Sequence, residues 1–120
     1  MSASPPWPAE LRVNKLRNAL TVRFDDDKAF TLAAEYLRVT SPSAEVKGHS
    51  LDQRQTVAGK KQVKITHLEA VGNYAVRIIF DDGHDTGLYS WAYLRELDET
   101  HGEKWPAYLE ELAVQGMSRE

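Results

Sequence analysis

Short apolar–polar alternations, each cut off by a turn signal, run through this chain and restrict it to a sheet built from hairpins. Leu20, Val22 and Phe24 alternate with Thr21 and Arg23, the period of two that buries one face of a strand. Asp25-Asp26-Asp27 follows, and aspartate tolerates left-handed backbone and bonds its own main chain in turns. Phe30 and Leu32 alternate on the return. A second series begins with a strand from Val63 to Val71 and turns at Gly72-Asn73. It returns along Val76, Ile78 and Phe80, turns again at Asp82-Gly83 and ends in a strand over 86–89. Leu11 and Val13 suit a short first strand.

Three helical stretches interrupt the strands. Ala33 to Leu37 reads as a short helix that ends before Pro42, because the residue preceding proline is pushed out of the helical region. Ser90 caps a helix from Trp91 to Leu97, with Trp91, Leu94 and Leu97 nearly in line. A last helix places Pro106 in its first turn and Trp105, Leu109 and Leu112 on one face, and closes at Gly116. The expectation is an α+β domain: a mainly antiparallel sheet of hairpins, two short helices and a C-terminal helix. At 120 residues it is one domain, divided into a loose proline-rich arm over 1–9 that contains Trp7, a body over 10–98 and a helical extension over 99–120.

One echo stands out. Phe24-Asp25-Asp26-Asp27 followed by Tyr36-Leu37-Arg38 is matched by Phe80-Asp81-Asp82-Gly83 followed by Tyr93-Leu94-Arg95, with spacing that differs by one residue. A duplicated unit and convergent hairpin grammar account for it equally well.

Composition removes several kinds of chemistry. The chain has no cysteine, which excludes disulfides, thiolate catalysis and sulfur-ligated zinc or iron–sulfur sites. No apolar run approaches the roughly 18 residues that span a bilayer, and no secretory leader is legible, so a cytoplasmic protein without membrane contact is expected. No serine sits in a nucleophile elbow and no glycine-rich phosphate loop occurs. Charge is uneven: residues 47–64 hold five cations against one acid, and residues 96–120 hold seven acids against two cations. Lys60, Lys61 and Lys64 are the candidates for a nucleic-acid contact. However, no aromatic is interleaved to stack bases and the acidic tail opposes binding, so nucleic acid is an unfavoured partner.

The densest polar cluster is Asp81-Asp82-Gly83-His84-Asp85. His84 with Asp82 and Asp85, and His49 as a second imidazole, is the one candidate set for a weak divalent metal. A solvated turn whose aspartates cap backbone N–H groups is the plainer reading. Among the aromatics, Tyr89 and Trp91 are candidates to line a binding groove, although most such rings cover sheets.

Two further stretches complete a pattern. The run from Tyr36-Leu37-Arg38 through Ser41-Pro42-Ser43 to Gly48-His49, with Val71-Gly72-Asn73-Tyr74-Ala75 and Phe80 through Trp91, resembles the gamma-butyrobetaine hydroxylase-like N-terminal domain family. The resemblance covers residues 10–98. Many members are stand-alone bacterial proteins of unknown function. In the full-length hydroxylases the domain precedes an Fe(II)- and 2-oxoglutarate-dependent catalytic domain, binds zinc through three cysteines and a histidine, and assists dimerisation. A related domain is fused to ATPases that carry iron–sulfur clusters. The resemblance therefore implies an accessory or protein-interaction module without its own catalysis, linked to iron or iron–sulfur metabolism, that self-associates or captures a protein partner. It also implies that the zinc cysteines fall at Ser41, Ser43 and Val46 and the histidine at His84. Serine hydroxyls do not ionise near neutral pH and valine has no donor, so a thiolate zinc site is expected to be absent.

Overall fold

The structure, a computed structural model, describes residues 8–42 and 56–120. Trp7, Ser43, Val46 and His49 lie outside the described residues, as does the first half of the basic segment, 47–55.

Two β-β-β-α units follow one another. The first comprises β1 (Pro8–Val13), β2 (Ala19–Phe24), β3 (Ala29–Ala33) and α1 (Ala34–Val39). The second comprises β4 (Ile65–Val71), β5 (Ala75–Phe80), β6 (Gly87–Ser90) and α2 (Trp91–Glu99), and α3 (His101–Val114) completes the chain. The strands are antiparallel, as the alternation predicts, but they form two three-stranded sheets, β1-β2-β3 and β4-β5-β6. Each sheet turns its apolar face to one shared core. Leu20, Val22, Phe24 and Leu32 from the first sheet join Ile65, Val76, Ile78, Phe80 and Tyr89 from the second, with Leu37, Leu94 and Leu97 from the helices. Full burial of side chains of this size stabilises by about 1.5–3 kcal/mol each.

The turns explain the register. Asp27 (φ 69°) and Gly83 (φ 91°) hold the same left-handed position in the β2–β3 and β5–β6 turns. In both, the closing phenylalanine accepts that residue's N–H: Asp27 N to Phe24 O at 3.1 Å, Gly83 N to Phe80 O at 3.3 Å. Each phenylalanine N–H in turn donates across the turn, to Lys28 O or His84 O. The β4–β5 turn holds three residues, Gly72, Asn73 and Tyr74, because Val71 pairs with Ala75. Gly72 at φ 55° takes the backbone bend there.

Several boundaries differ from expectation. β1 begins at Pro8, inside the segment read as a loose arm, and pairs back to Phe24. In α3, Pro106 lies inside the helix rather than in its first turn. Thr100 both ends α2 and begins α3, so the helix starts at His101, and Pro106 forgoes only the bond to the carbonyl of solvent-exposed Gly102. The buried face of α3 carries Tyr108 and Leu112, while Leu109 is exposed. Tyr108 takes the inward place because its hydroxyl reaches Val57 O at 2.6 Å. The end of α3 closes at Gly116 (φ 68°) by a Schellman pair, Gly116 N to Ala113 O and Met117 N to Leu112 O. Beyond it, Arg119 forms a two-pronged ion pair with Glu35 of α1, at 2.7 and 2.8 Å.

Candidate functional site

The sequence echo becomes a set of reciprocal contacts between the units. Tyr36 of α1 donates its hydroxyl to Leu97 O at 2.7 Å, and Tyr93, its counterpart in α2, donates to Thr40 O at 2.6 Å. Arg95 reaches back to Asp26 in the β2–β3 turn, and Arg38 reaches across to Asp82 in the β5–β6 turn. The first residue of each helix donates its N–H to the preceding hairpin, Ala34 to Asn18 O and Trp91 to Tyr74 O. Contacts of this kind, in which each half gives the other the same thing, are what a two-fold relation between the units produces.

The relation identifies two matching corners. At the first, Asp26 accepts Arg95 Nη1 at 3.0 and 3.2 Å and the backbone N–H of Lys28 at 3.2 Å. Lys28 Nζ lies 3.9 Å from Asp98. At the second, Asp82 Oδ2 accepts Arg38 Nε at 2.8 Å and Lys60 Nζ at 2.6 Å, while Oδ1 accepts the backbone N–H of His84 at 3.1 Å. His84 stands where Lys28 stands at the first corner, and Ser41 stands where Asp98 stands. Ser41 Oγ lies 2.8 Å from His84 Nε2. An ion pair at one corner is a hydroxyl–imidazole contact at the other.

Close packing surrounds that contact. A Cβ on Gly87 would come within 2.5 Å of Ser41 Oγ and 2.9 Å of the Tyr89 ring, so glycine is the residue this strand position accepts. Tyr89 is fully buried and donates its hydroxyl to Leu37 O, and burial pushes its ionisation up. It belongs to the core, whereas Trp91 is half-buried and donates its indole N–H to Asn73 O at 2.9 Å. For Asp82, burial alone would raise the pKa. The hydrogen bonds from Lys60, the His84 backbone and Arg38 outweigh it and hold the carboxyl at about 2.

The structure thus brings together His84, Asp82 and Lys60 from the sequence-derived candidates, and places Ser41 beside them. Asp85 is exposed, and its carbonyl faces Arg77. Lys61 pairs with Glu120 at 3.7 Å, and Lys64 is exposed at the start of β4, where its backbone N–H bonds Asp81. Sequence reasoning missed Arg38 as a site residue. The signal was the echo itself, since Arg95 and Asp26 repeat Arg38 and Asp82. Among the described residues, no group of three or more histidine, aspartate or glutamate side chains converges as a metal ligand set. Nor do the residues present fit the zinc clamp that the resemblance implies. Ser41 keeps its proton near neutral pH and its oxygen is engaged by the imidazole, Val46 offers no donor, and two cations already hold Asp82.

Among the described residues, no helix is long and apolar enough to cross a membrane. No curated protein matches the chain. Two solution NMR structures are similar over nearly all of it. One has 43% identity and a TM-score of 0.82, covering 96% of this chain and 90% of that one. The other has 43% identity and a TM-score of 0.83, covering 100% and 89%. A crystal structure of a protein with unknown function from Acidithiobacillus ferrooxidans, assigned to the DUF971 family, has 37% identity and a TM-score of 0.64, covering 76% of this chain and 91% of that one. The family model for gamma-butyrobetaine hydroxylase-like N-terminal domains matches residues 11–95, which include the whole second corner and all of the first except Asp98. The chain therefore belongs to the gamma-butyrobetaine hydroxylase-like N-terminal domain family.

Proposed function

We propose that this domain is a non-catalytic accessory module that works by binding a protein partner or a second copy of itself, in the cytoplasm. The observation that supports this reading is how the site's polar side chains are engaged. Ser41 and His84 hold each other, and Asp82 holds Arg38 and Lys60. Among the described residues, no buried side-chain polar atom lacks a partner. Serine, histidine and carboxylate arranged for catalysis would instead present a nucleophile and its base to a substrate-sized opening. Ser41 is 9% exposed.

Apolar side chains stand out from the surface at two levels of the fold. Leu16, Tyr74 and Leu88 are exposed on the sheets and their hairpins, and Leu109, Val114 and Met117 are exposed along and beyond α3. Three exposed apolar side chains within nine residues of sequence at the chain's end suit a protein contact. The link to iron or iron–sulfur metabolism is carried by family membership alone. The lysines favour a protein over a nucleic acid as partner, because Lys61 already faces Glu120 and no aromatic is interleaved among Lys60, Lys61 and Lys64 to stack bases.

Sedimentation analysis of the purified chain across a wide concentration range, followed by affinity capture, tests the proposal. A defined oligomer or a stoichiometric protein complex is expected. A monomer at every concentration that captures nothing would overturn it.

A further inference from the structure

We infer that the corner formed by Arg38, Ser41, Lys60, Asp82 and His84 is a binding site for a small oxyanion of the phosphate type. This goes beyond the interaction reading and does not depend on it.

The other corner is a reference inside the same molecule. There, the cations Arg95 and Lys28 face the carboxylates of Asp26 and Asp98, and charge balances. At the second corner Ser41 replaces the second carboxylate, His84 replaces the lysine, and Lys60 arrives from the segment that joins the units. Among the described residues, two cations, Arg38 and Lys60, now pair with the one carboxylate of Asp82. The flanking aspartates do not alter the difference, since Asp25 and Asp27 flank the first turn as Asp81 and Asp85 flank the second. A net positive corner with a hydroxyl and an imidazole beside it attracts anions and opposes cations.

Donor capacity points the same way. Arg95 uses Nη1 on both oxygens of Asp26 and lies over the Phe24 ring, 4.8 Å from its centroid. Arg38 donates only Nε, and its two terminal nitrogens have no hydrogen-bond partner among the described residues. Lys60 gives its ammonium to the same Asp82 oxygen, which holds the two cations side by side. Among the described residues, the outer fork of Arg38 and the remaining N–H groups of Lys60 are thus open to an acceptor without displacing Asp82. A guanidinium fork beside an ammonium matches the several acceptor oxygens of a phosphate group. The side chains of Arg38, Lys60 and Asp82 are 15%, 22% and 18% exposed. That is open enough to be reached and sheltered enough for charge to act strongly.

The test is an NMR titration of isotope-labelled full-length protein with inorganic phosphate and, separately, O-phosphoserine, at ionic strength held constant with chloride. Saturable shifts of the Arg38 side-chain and His84 ring signals are expected, with Kd of about 1 mM or tighter, while the Arg95 signals stay in place. Lys60→Gln should weaken binding about tenfold, roughly the loss of one charge-assisted contact. Ser41→Asp, which restores the carboxylate of the reference corner, should remove saturation. If Ser41→Asp does not fold, Lys60→Gln at a partly exposed position carries the test. Tighter binding of O-phosphoserine assigns the site to a phosphate ester on a larger partner, and equal binding assigns it to the free ion. Shifts that follow ionic strength only, an equal response at Arg95, or unchanged affinity in Lys60→Gln would overturn the inference. A protein that binds phosphate yet captures no partner would sink the interaction reading and leave this one standing.

Discussion

The two corners of this molecule share a framework and differ in what fills it. Both have an aspartate two residues into a tight turn, an arginine from the other unit's helix, and a left-handed residue next in the turn. At the Asp26 corner Arg95 meets Asp26 and Lys28 meets Asp98 on an open surface. At the Asp82 corner the helix end contributes a serine in place of an acid, and a lysine is drawn in from outside the repeated pattern. The pairs that differ, Lys28–Asp98 and Ser41–His84, cross between the units just as the shared ones do, so the corners differ in charge and not in what they join.

The largest expected effect separates the two helices that carry these corners. Glu35 in α1 is buried and bound by Arg119, whereas the matching position in α2 is the exposed Ala92. Arg119→Ala leaves a carboxylate 8% exposed without its partner, which should cost about 3 kcal/mol in urea denaturation. Glu35→Gln added to it should recover most of the loss. A double variant no better than the single would show that the buried charge is not the cause.

Gly87 marks the next difference, because its counterpart in the first unit is Phe30. Gly87→Ala drives a methyl against Ser41 and the buried Tyr89 ring, and about 2 kcal/mol of destabilisation is expected. Unchanged stability would mean that Ser41 moves aside freely and that the corner is not closely packed.

The tyrosines probe what the units share. Tyr36→Phe and Tyr93→Phe each leave one helix-end carbonyl without its donor. Denaturation midpoints should fall in both, by about 1.5 kcal/mol for the buried Tyr36 and about 1 kcal/mol for the less buried Tyr93. A loss at only one of them would break the reciprocity.

Acid titration gives the smallest effect. Asp82 has a carboxyl held at about 2 in the folded state, below the roughly 3.9 of an unfolded chain. Its folded pKa is depressed, so its contribution is complete above about pH 4 and is lost as pH falls through about 2. With solvent screening this amounts to about 1 kcal/mol. Asp82→Asn should flatten the stability profile in that window more than Asp26→Asn, whose carboxyl is lowered at the surface.

Much of this architecture was legible beforehand. Period-two alternation bounded by Asp-Asp and Gly-Asn located the hairpins, because a half-buried strand has no other way to place its side chains. The echo was legible too, but its meaning was not. Tyr36 and Tyr93, or Arg38 and Asp82, are far apart in sequence, and only their tertiary positions show that each contact is returned by its counterpart. The division into two sheets was hidden for the same reason. Pro106 misled because proline usually marks a helix start, and here an exposed glycine carbonyl tolerates the missing N–H. Leu109 misled because hydropathy ranks it above Tyr108, whose buried hydroxyl has an acceptor in Val57. Lys60 looked like a member of a basic run and is a partner of Asp82.

The second corner holds a serine–imidazole contact and, among the described residues, more cations than carboxylates, where the family resemblance would put metal ligands. Metal analysis of protein purified without chelator or affinity tag, combined with a zinc titration followed at the His84 ring, tests it most directly. The account predicts no stoichiometric metal and a His84 signal that stays put as zinc is added. One equivalent of metal per chain that disappears in His84→Ala would contradict it.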